Sequence, residues 1–150
     1  EYCTLIYMLL ALAAPFALFS SYATAHELRH YLSRSKSTHI FVHNNFLSVL
    51  LEAAHEEGFP VENIFILDGT TATGTKSKSL DGMIQEVRRK KLPKEPVRTA
   101  GKNSLAYLVL SSGTYGLPKT VRISHGCIFT SMFQAVIVMM ELMKVKVRKI

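Results

Sequence analysis

Three short apolar runs recur along the chain: "HIFVH" at 39–43, "NIFIL" at 63–67 and "LAYLVL" at 105–110. Their side chains favour extended backbone, and each run is too short for a stable helix. Between them the apolar period changes. Leu28, Tyr31 and Leu32 fall on one helical face, as do Phe46, Leu47, Leu50, Leu51 and Ala54, and again Leu80, Met83, Ile84 and Val87. Strands that alternate with amphipathic helices bury both kinds of apolar face by layering helices on a sheet. The pattern predicts a layered α/β fold, with a mostly parallel sheet and flanking helices. No internal repeat is visible.

Local signals set the boundaries. Thr24 and Glu27 make a capping-box pattern ahead of Leu28, and Gly58 is placed to stop the helix over 46–54. Asp68-Gly69 closes the second strand. The polar stretches "TTATGTKSKS" at 70–79 and "PKEPVRTAGKNS" at 93–104 read as loops, and "VRIS" at 121–124 alternates as a further strand.

Two longer apolar segments raise the question of a membrane. "LIYMLLALAAPFALF" at 5–19 carries no charge. A span needs about 20 apolar residues, and Pro15 interrupts this one. "ATA" at 23–25 imitates a cleavage site, but no Lys or Arg precedes the run and Glu1 has the wrong sign for a basic leader. The expectation is a buried helix to about Ala14 and then a buried strand, "PFALFS"; a membrane segment or export signal is the alternative. "CIFTSMFQAVIVMM" at 127–140 ends in Glu141 and Lys144 and is also expected to be a core helix. Cys3 and Cys127 sit far apart in these apolar stretches, which predicts buried thiols in a reducing compartment. The expected location is the cytoplasm, with peroxisomal or membrane-associated placement as alternatives.

The chain is basic, with 18 Lys and Arg against 11 Asp and Glu. Part of the excess is local, in "RRKK" at 88–91 and "KVKVRK" at 144–149. The first run closes an amphipathic segment, where cations offset the helix dipole. Neither run has a cluster of aromatics for stacking bases, so no nucleic-acid partner is expected.

The densest polar segment is "SSGTYGLPKT" at 111–120, between a buried strand and another strand. From Gly113 it reads "GTYGLPKT", one residue away from the Walker loop G-x-x-x-x-G-K-[ST]. That residue is Pro118, which has no N–H to offer phosphate. The Walker lysine also opens a helix, whereas "TVRIS" reads as a strand. A different phosphate loop fits. Hydroxyls and glycine N–H groups donate to phosphate oxygens, glycines let the backbone approach, and Lys119 supplies a point charge.

"YLVLSSGTYGLPKTVRISH" resembles the phosphate-loop signature of the adenylate-forming superfamily, Y-S-S-G-T-[ST]-G-x-P-K-G-V-x-x-[ST]-H. The stretch from Ser20 to Gly69 is similar to the segment before that loop in coumarate–CoA ligase-like acyl-CoA synthetases, fungal ones in particular. The resemblance implies part of the large N-terminal domain of such an enzyme. It implies chemistry in which a carboxylic acid and ATP give an acyl-adenylate and pyrophosphate, after which coenzyme A takes the acyl group. It places Ser111, Ser112, Gly113, Thr114, Gly116 and Lys119 on the ATP phosphates, with Mg²⁺ sharing the charge, and Tyr115 where a Ser or Thr is usual. Thr120 replaces a Gly or small residue. His125 matches a recurrent histidine and is read as a helix-start residue.

The resemblance assigns no catalytic residue and no protein metal ligand to this chain. The family's later adenine-binding motif, ribose-binding aspartate, C-terminal domain with its adenylation lysine and most of the acyl pocket have no counterpart in it. Residues 1–150 are therefore expected to form an incomplete AMP-binding N-terminal domain without the C-terminal domain, inactive alone. Its exposed core faces are expected to promote association or aggregation. A non-catalytic binding module and a small membrane-associated protein are the alternatives.

One motif argues for other chemistry. "HELRH" at 26–30 matches H-E-x-x-H, in which two helical histidines bind zinc beside a glutamate base. Here the capping box puts His26 in the first turn, where the helix dipole is positive. It also engages Glu27, and Arg29 adds a positive charge between the histidines. Two partly exposed helix histidines are expected instead. Elemental analysis of purified protein should find no stoichiometric zinc. One equivalent, lost in His26→Ala, would overturn this.

Overall fold

A computed structural model describes residues 2–67, 78–111 and 119–147. The elements run α1 (Tyr2–Ala11), β1 (Phe16–Ala17), α2 (Ala25–Ser35), β2 (Ile40–Val42), α3 (Leu47–Glu56), β3 (Ile64–Ile66), β4 (Lys78–Ser79), α4 (Leu80–Arg89), β5 (Leu105–Ser111), β6 (Lys119–Ser124) and α5 (His125–Val147). Two short 3₁₀ turns, Asn44–Phe46 and Val61–Asn63, lead into α3 and β3. The alternation is that of an α/β layered fold, as the periods imply.

The described strands form two three-stranded sheets, ordered β1-β5-β6 and β2-β3-β4. β1 pairs with β5, β2 with β3 and β3 with β4 in parallel, while β5 and β6 are antiparallel. The core gathers around β3. Ile64 and Ile66 are fully buried, against Leu28, Tyr31 and Leu32 of α2 and Leu47, Leu50, Ala53 and Ala54 of α3. Burying each isoleucine is worth about 1.5–3 kcal/mol. Arg29, on another face of α2, pairs with Glu56 and lies 3.5 Å from Glu57 at the end of α3. These pairs are partly exposed and add little to stability.

Helix ends follow the backbone more than the residue type. Gly58 takes φ +65°, as expected for a glycine stop, and the N–H of Phe59 reaches back to Ala54. Ala13, Lys36 and Lys91 adopt the same left-handed backbone with no glycine to mark them. Around Ala13, the N–H of Ala14 bonds the Leu9 carbonyl at 2.9 Å and that of Ala13 bonds the Leu10 carbonyl at 3.1 Å. This double closure ends α1 at Ala11, three residues before the expected boundary, and Pro15 then starts the extended segment. The left-handed turn costs a β-carbon about 1 kcal/mol, which the two recovered carbonyl bonds offset.

Several expected burials fail. In α1 only Leu5 is buried, while Tyr2, Tyr7 and Met8 are exposed. The expected strand after Pro15 is reduced to Phe16–Ala17 and is half-buried. α4 buries Leu80 alone, leaving Ile84 and Val87 exposed. α5 is not a core helix here: from Phe129 to Lys144 every residue is exposed. Its stretch His125–Lys144 is long and apolar enough to cross a membrane, by length and composition. Cys3 and Cys127 are exposed, not buried, because both lie on these uncovered helices.

The capping box is present as read. The Thr24 hydroxyl oxygen accepts from Glu27 N–H at 3.3 Å, and a Glu27 carboxylate oxygen accepts from Thr24 N–H at 2.8 Å. The Thr24 backbone bond first, then the Thr24 hydroxyl, and more weakly the nearby His26, hold the Glu27 carboxyl below its ordinary range. A lowered carboxyl adds stability above its unfolded value and loses it as pH falls through the folded one. Thr24→Ala should destabilise the chain by about 1 kcal/mol at neutral pH. The deficit should shrink in acid, as Glu27 protonates in both proteins. Urea unfolding at several pH values measures this, and equal midpoints at neutral pH would refute it.

Candidate functional site

The polar segment starts at the end of β5 and finishes at the start of β6, two strands that pair antiparallel. β5 is held on one side by β1, with Phe16 opposite Tyr107 and their rings stacked 5.4 Å apart. On its other side β6 runs back in register: Leu108 faces Arg122, Leu110 faces Thr120, and Ser111 faces Lys119. The last pair closes the mouth of the loop. The Ser111 hydroxyl donates to the Lys119 carbonyl at 3.3 Å. Two residues eight positions apart in the sequence thus become a facing pair in space, joined through the Ser111 hydroxyl and the Lys119 backbone. Both are exposed, and Lys119 has no ion-pair partner among the described residues.

Of the residues read as phosphate-binding, Ser111 and Lys119 are brought together in this way. Ser112, Gly113, Thr114, Tyr115 and Gly116 lie outside the described residues. Thr120, the departure from a small residue, is exposed and paired with Leu110. Chemically the mouth offers a hydroxyl and a cation, which can bind and neutralise an anion.

The hairpin feeds directly into a helix. His125 is the first residue of α5, in agreement with its reading as a helix-start residue. The Ser124 hydroxyl oxygen caps the helix by accepting from Cys127 N–H at 3.2 Å. The same hydroxyl lies 3.3 Å from the Cys127 sulfur. Hydrogen bonding with the Ser124 side chain, and then with its backbone, holds the Cys127 thiol below its usual range. Two further helix N–H groups are satisfied by the preceding loop: His125 donates to the Ser104 carbonyl at 3.0 Å and Gly126 to the Lys102 carbonyl at 2.8 Å. This docking was not legible from the sequence, where a glycine beside a helix start is a weak signal.

The histidines of "HELRH" lie on the first two turns of α2. His26 is exposed, His30 is half-buried, and Glu27 is occupied by the cap. Among the described residues no group of three His, Cys, Asp or Glu side chains could hold a metal ion.

Comparison with known proteins is consistent with this architecture. Residues 2–147 match the family described as AMP-binding enzyme. The acyl-CoA ligase AKT1 of Alternaria alternata is 26% identical over 138 residues, covering 89% of this chain and 24% of that ligase. A red-emitting luciferase from Phrixothrix hirtus superposes with a TM-score of 0.70 at 22% identity, over 83% of this chain and 24% of its own. The anthranilate CoA ligase AuaEII, solved with anthranoyl-AMP, superposes with a TM-score of 0.69 at 20% identity, over 83% and 23%. The chain spans about a quarter of the length of these proteins.

A β-carbon on Gly126 would stand 2.7 Å from the Lys102 carbonyl oxygen and 3.3 Å from the Lys102 Cβ. The first contact is with backbone and cannot be relieved by a side-chain rotation. Gly126→Ala should therefore push α5 off the 101–104 loop and cost about 1–3 kcal/mol. An unchanged urea midpoint would mean that the loop shifts freely.

Proposed function

The chain belongs to the AMP-binding enzyme family, and from that premise we propose that it carries the polyphosphate-holding hairpin of an ATP-dependent acyl-CoA ligase. In that chemistry a carboxylate oxygen attacks the α-phosphorus of ATP. The bond from that phosphorus to the bridging oxygen breaks, and pyrophosphate leaves as the acyl-adenylate forms. Coenzyme A then accepts the acyl group in exchange for AMP.

The single observation that carries the reading is the facing pair Ser111 and Lys119 at the mouth of the loop. A leaving pyrophosphate gathers negative charge on several oxygens. Groups that neutralise it lower the barrier without bonding covalently to anything. Lys119 would supply a fixed positive charge, and the Ser111 hydroxyl, with Ser112, Gly113, Thr114 and Gly116, directional donors. Mg²⁺ would supply a further positive charge to the phosphates that these residues hold. The acid substrate and the coenzyme A step belong to the reading of the longer relatives, and this chain's part in it is to hold phosphate.

A second reading, a non-catalytic binding module, is favoured by Tyr115. Its hydroxyl sits several ångströms further from the backbone than that of a Ser or Thr. Either the ring swings out and one charge-assisted bond is lost, or the ring occupies phosphate space.

Grafting residues 105–125 into a complete, active acyl-CoA synthetase tests both. ATP–pyrophosphate exchange should fall about ten- to hundred-fold, equivalent to one lost bond of roughly 1.5–3 kcal/mol. Tyr115→Thr should recover much of the loss and Thr120→Gly a smaller part. In the recovered graft Lys119→Ala should abolish most of the exchange; if it does not, the phosphate role of the hairpin falls. Full exchange in the unmodified graft would show instead that the tyrosine is tolerated.

A further inference from the structure

On the α2 side of the hairpin lies a cleft of about 680 Å³. Its floor is apolar, made by Leu105 and Leu108 of β5. Its walls are basic. Arg34 and Lys36 come from the end of α2, Arg122 comes from β6, and Lys119 stands at the rim. Among the described residues no acidic side chain lines it. Register explains the placing of Arg122: it faces Leu108 across the ribbon, and facing residues share a face of the sheet.

Among the described residues Arg34, Lys36 and Arg122 have no carboxylate partner, a condition they share with Lys78, Arg88, Arg89, Lys91, Lys94 and Lys102; what sets them apart is that they line one cavity together. The partial negative charge at the C-terminus of α2 accounts for a cation in its last turn. It does not account for Arg122, which is delivered by a strand from far along the chain. Nor does the loop signature, in which Arg122 falls on an unspecified position.

We propose that this cleft is a second anion site, beside the loop at 111–119 and meeting it at Lys119, for a phosphorylated organic ligand. Two guanidinium groups present planar forks that match phosphate oxygens, Lys36 adds a point charge, and the leucine floor suits the apolar part of the molecule. The Thr120 hydroxyl, on the same face as Arg122, is available as a neutral donor.

The test is calorimetric titration of the full chain with tripolyphosphate, which carries the shared chemistry of both sites. Three proteins are compared: the wild type, Arg34→Gln/Arg122→Gln, and Ser112→Ala/Thr114→Ala. The first pair of changes lies outside the loop and at exposed positions, so the fold should survive; circular dichroism checks this. Arg34→Lys/Arg122→Lys, which keeps the charge but not the forks, is a further variant. The arginine-to-glutamine protein should lose at least about ten-fold in affinity for one binding event, and the lysine variant less. Loss of that event in the glutamine protein, with the loop variant unaffected, supports the cleft even if the loop binds nothing. A single event lost only in the loop variant, or no binding by the wild type, overturns the proposal.

Discussion

Among the described residues β5 is the central strand of its sheet, parallel to β1 and antiparallel to β6. Everything proposed for function hangs on the second pairing. Because β6 returns in register, Ser111 and Lys119 meet at one end, and Leu105 meets Ser124 at the other. A one-residue slip would turn each β6 side chain to the opposite face. It would take Arg122 off the α2 side and break the Ser111–Lys119 pair together. The irregularity between Leu105 and Tyr107 lies at the end away from the loop, so it leaves the mouth in register.

Much of the fold is written locally in the residues. The capping box of Thr24 and Glu27, the stop at Gly58 and the buried face Leu28–Tyr31–Leu32 are each set by a few neighbours, and each appears as read. The ends at Ala13, Lys36 and Lys91 escape such reading. Their left-handed turns are imposed by the need to satisfy the last carbonyls, and no glycine advertises them. Exposure escapes it too. An apolar period says that a helix has a face to bury, as in α4, but not that anything in the chain will cover it.

The same division runs through the site. Composition singled out the segment at 111–120 as a candidate, through hydroxyls, glycines and a lysine in ten residues, and the strand pairing put its two described ends opposite each other. The basic cleft had no such signature. Arg34 and Arg122 stand 88 positions apart in numbering, and only the placing of α2 beside the ribbon brings them to one cavity. The docking of Gly126 on Lys102 is likewise a fact of tertiary geometry, with a lone glycine as its trace.

That docking has a mechanical side. α5 has 23 residues, a rod about 35 Å long, and it is fastened near one end by the bonds from His125 and Gly126. Such a rod is a cantilever. A rotation of about 10° at Gly126 displaces the far end by about 6 Å, while the hairpin beside the pivot barely moves. The converse also holds. A load on the apolar shaft acts through a long arm on a short one, so force applied far out on α5 arrives magnified at Ser124, the residue where β6 ends and α5 begins.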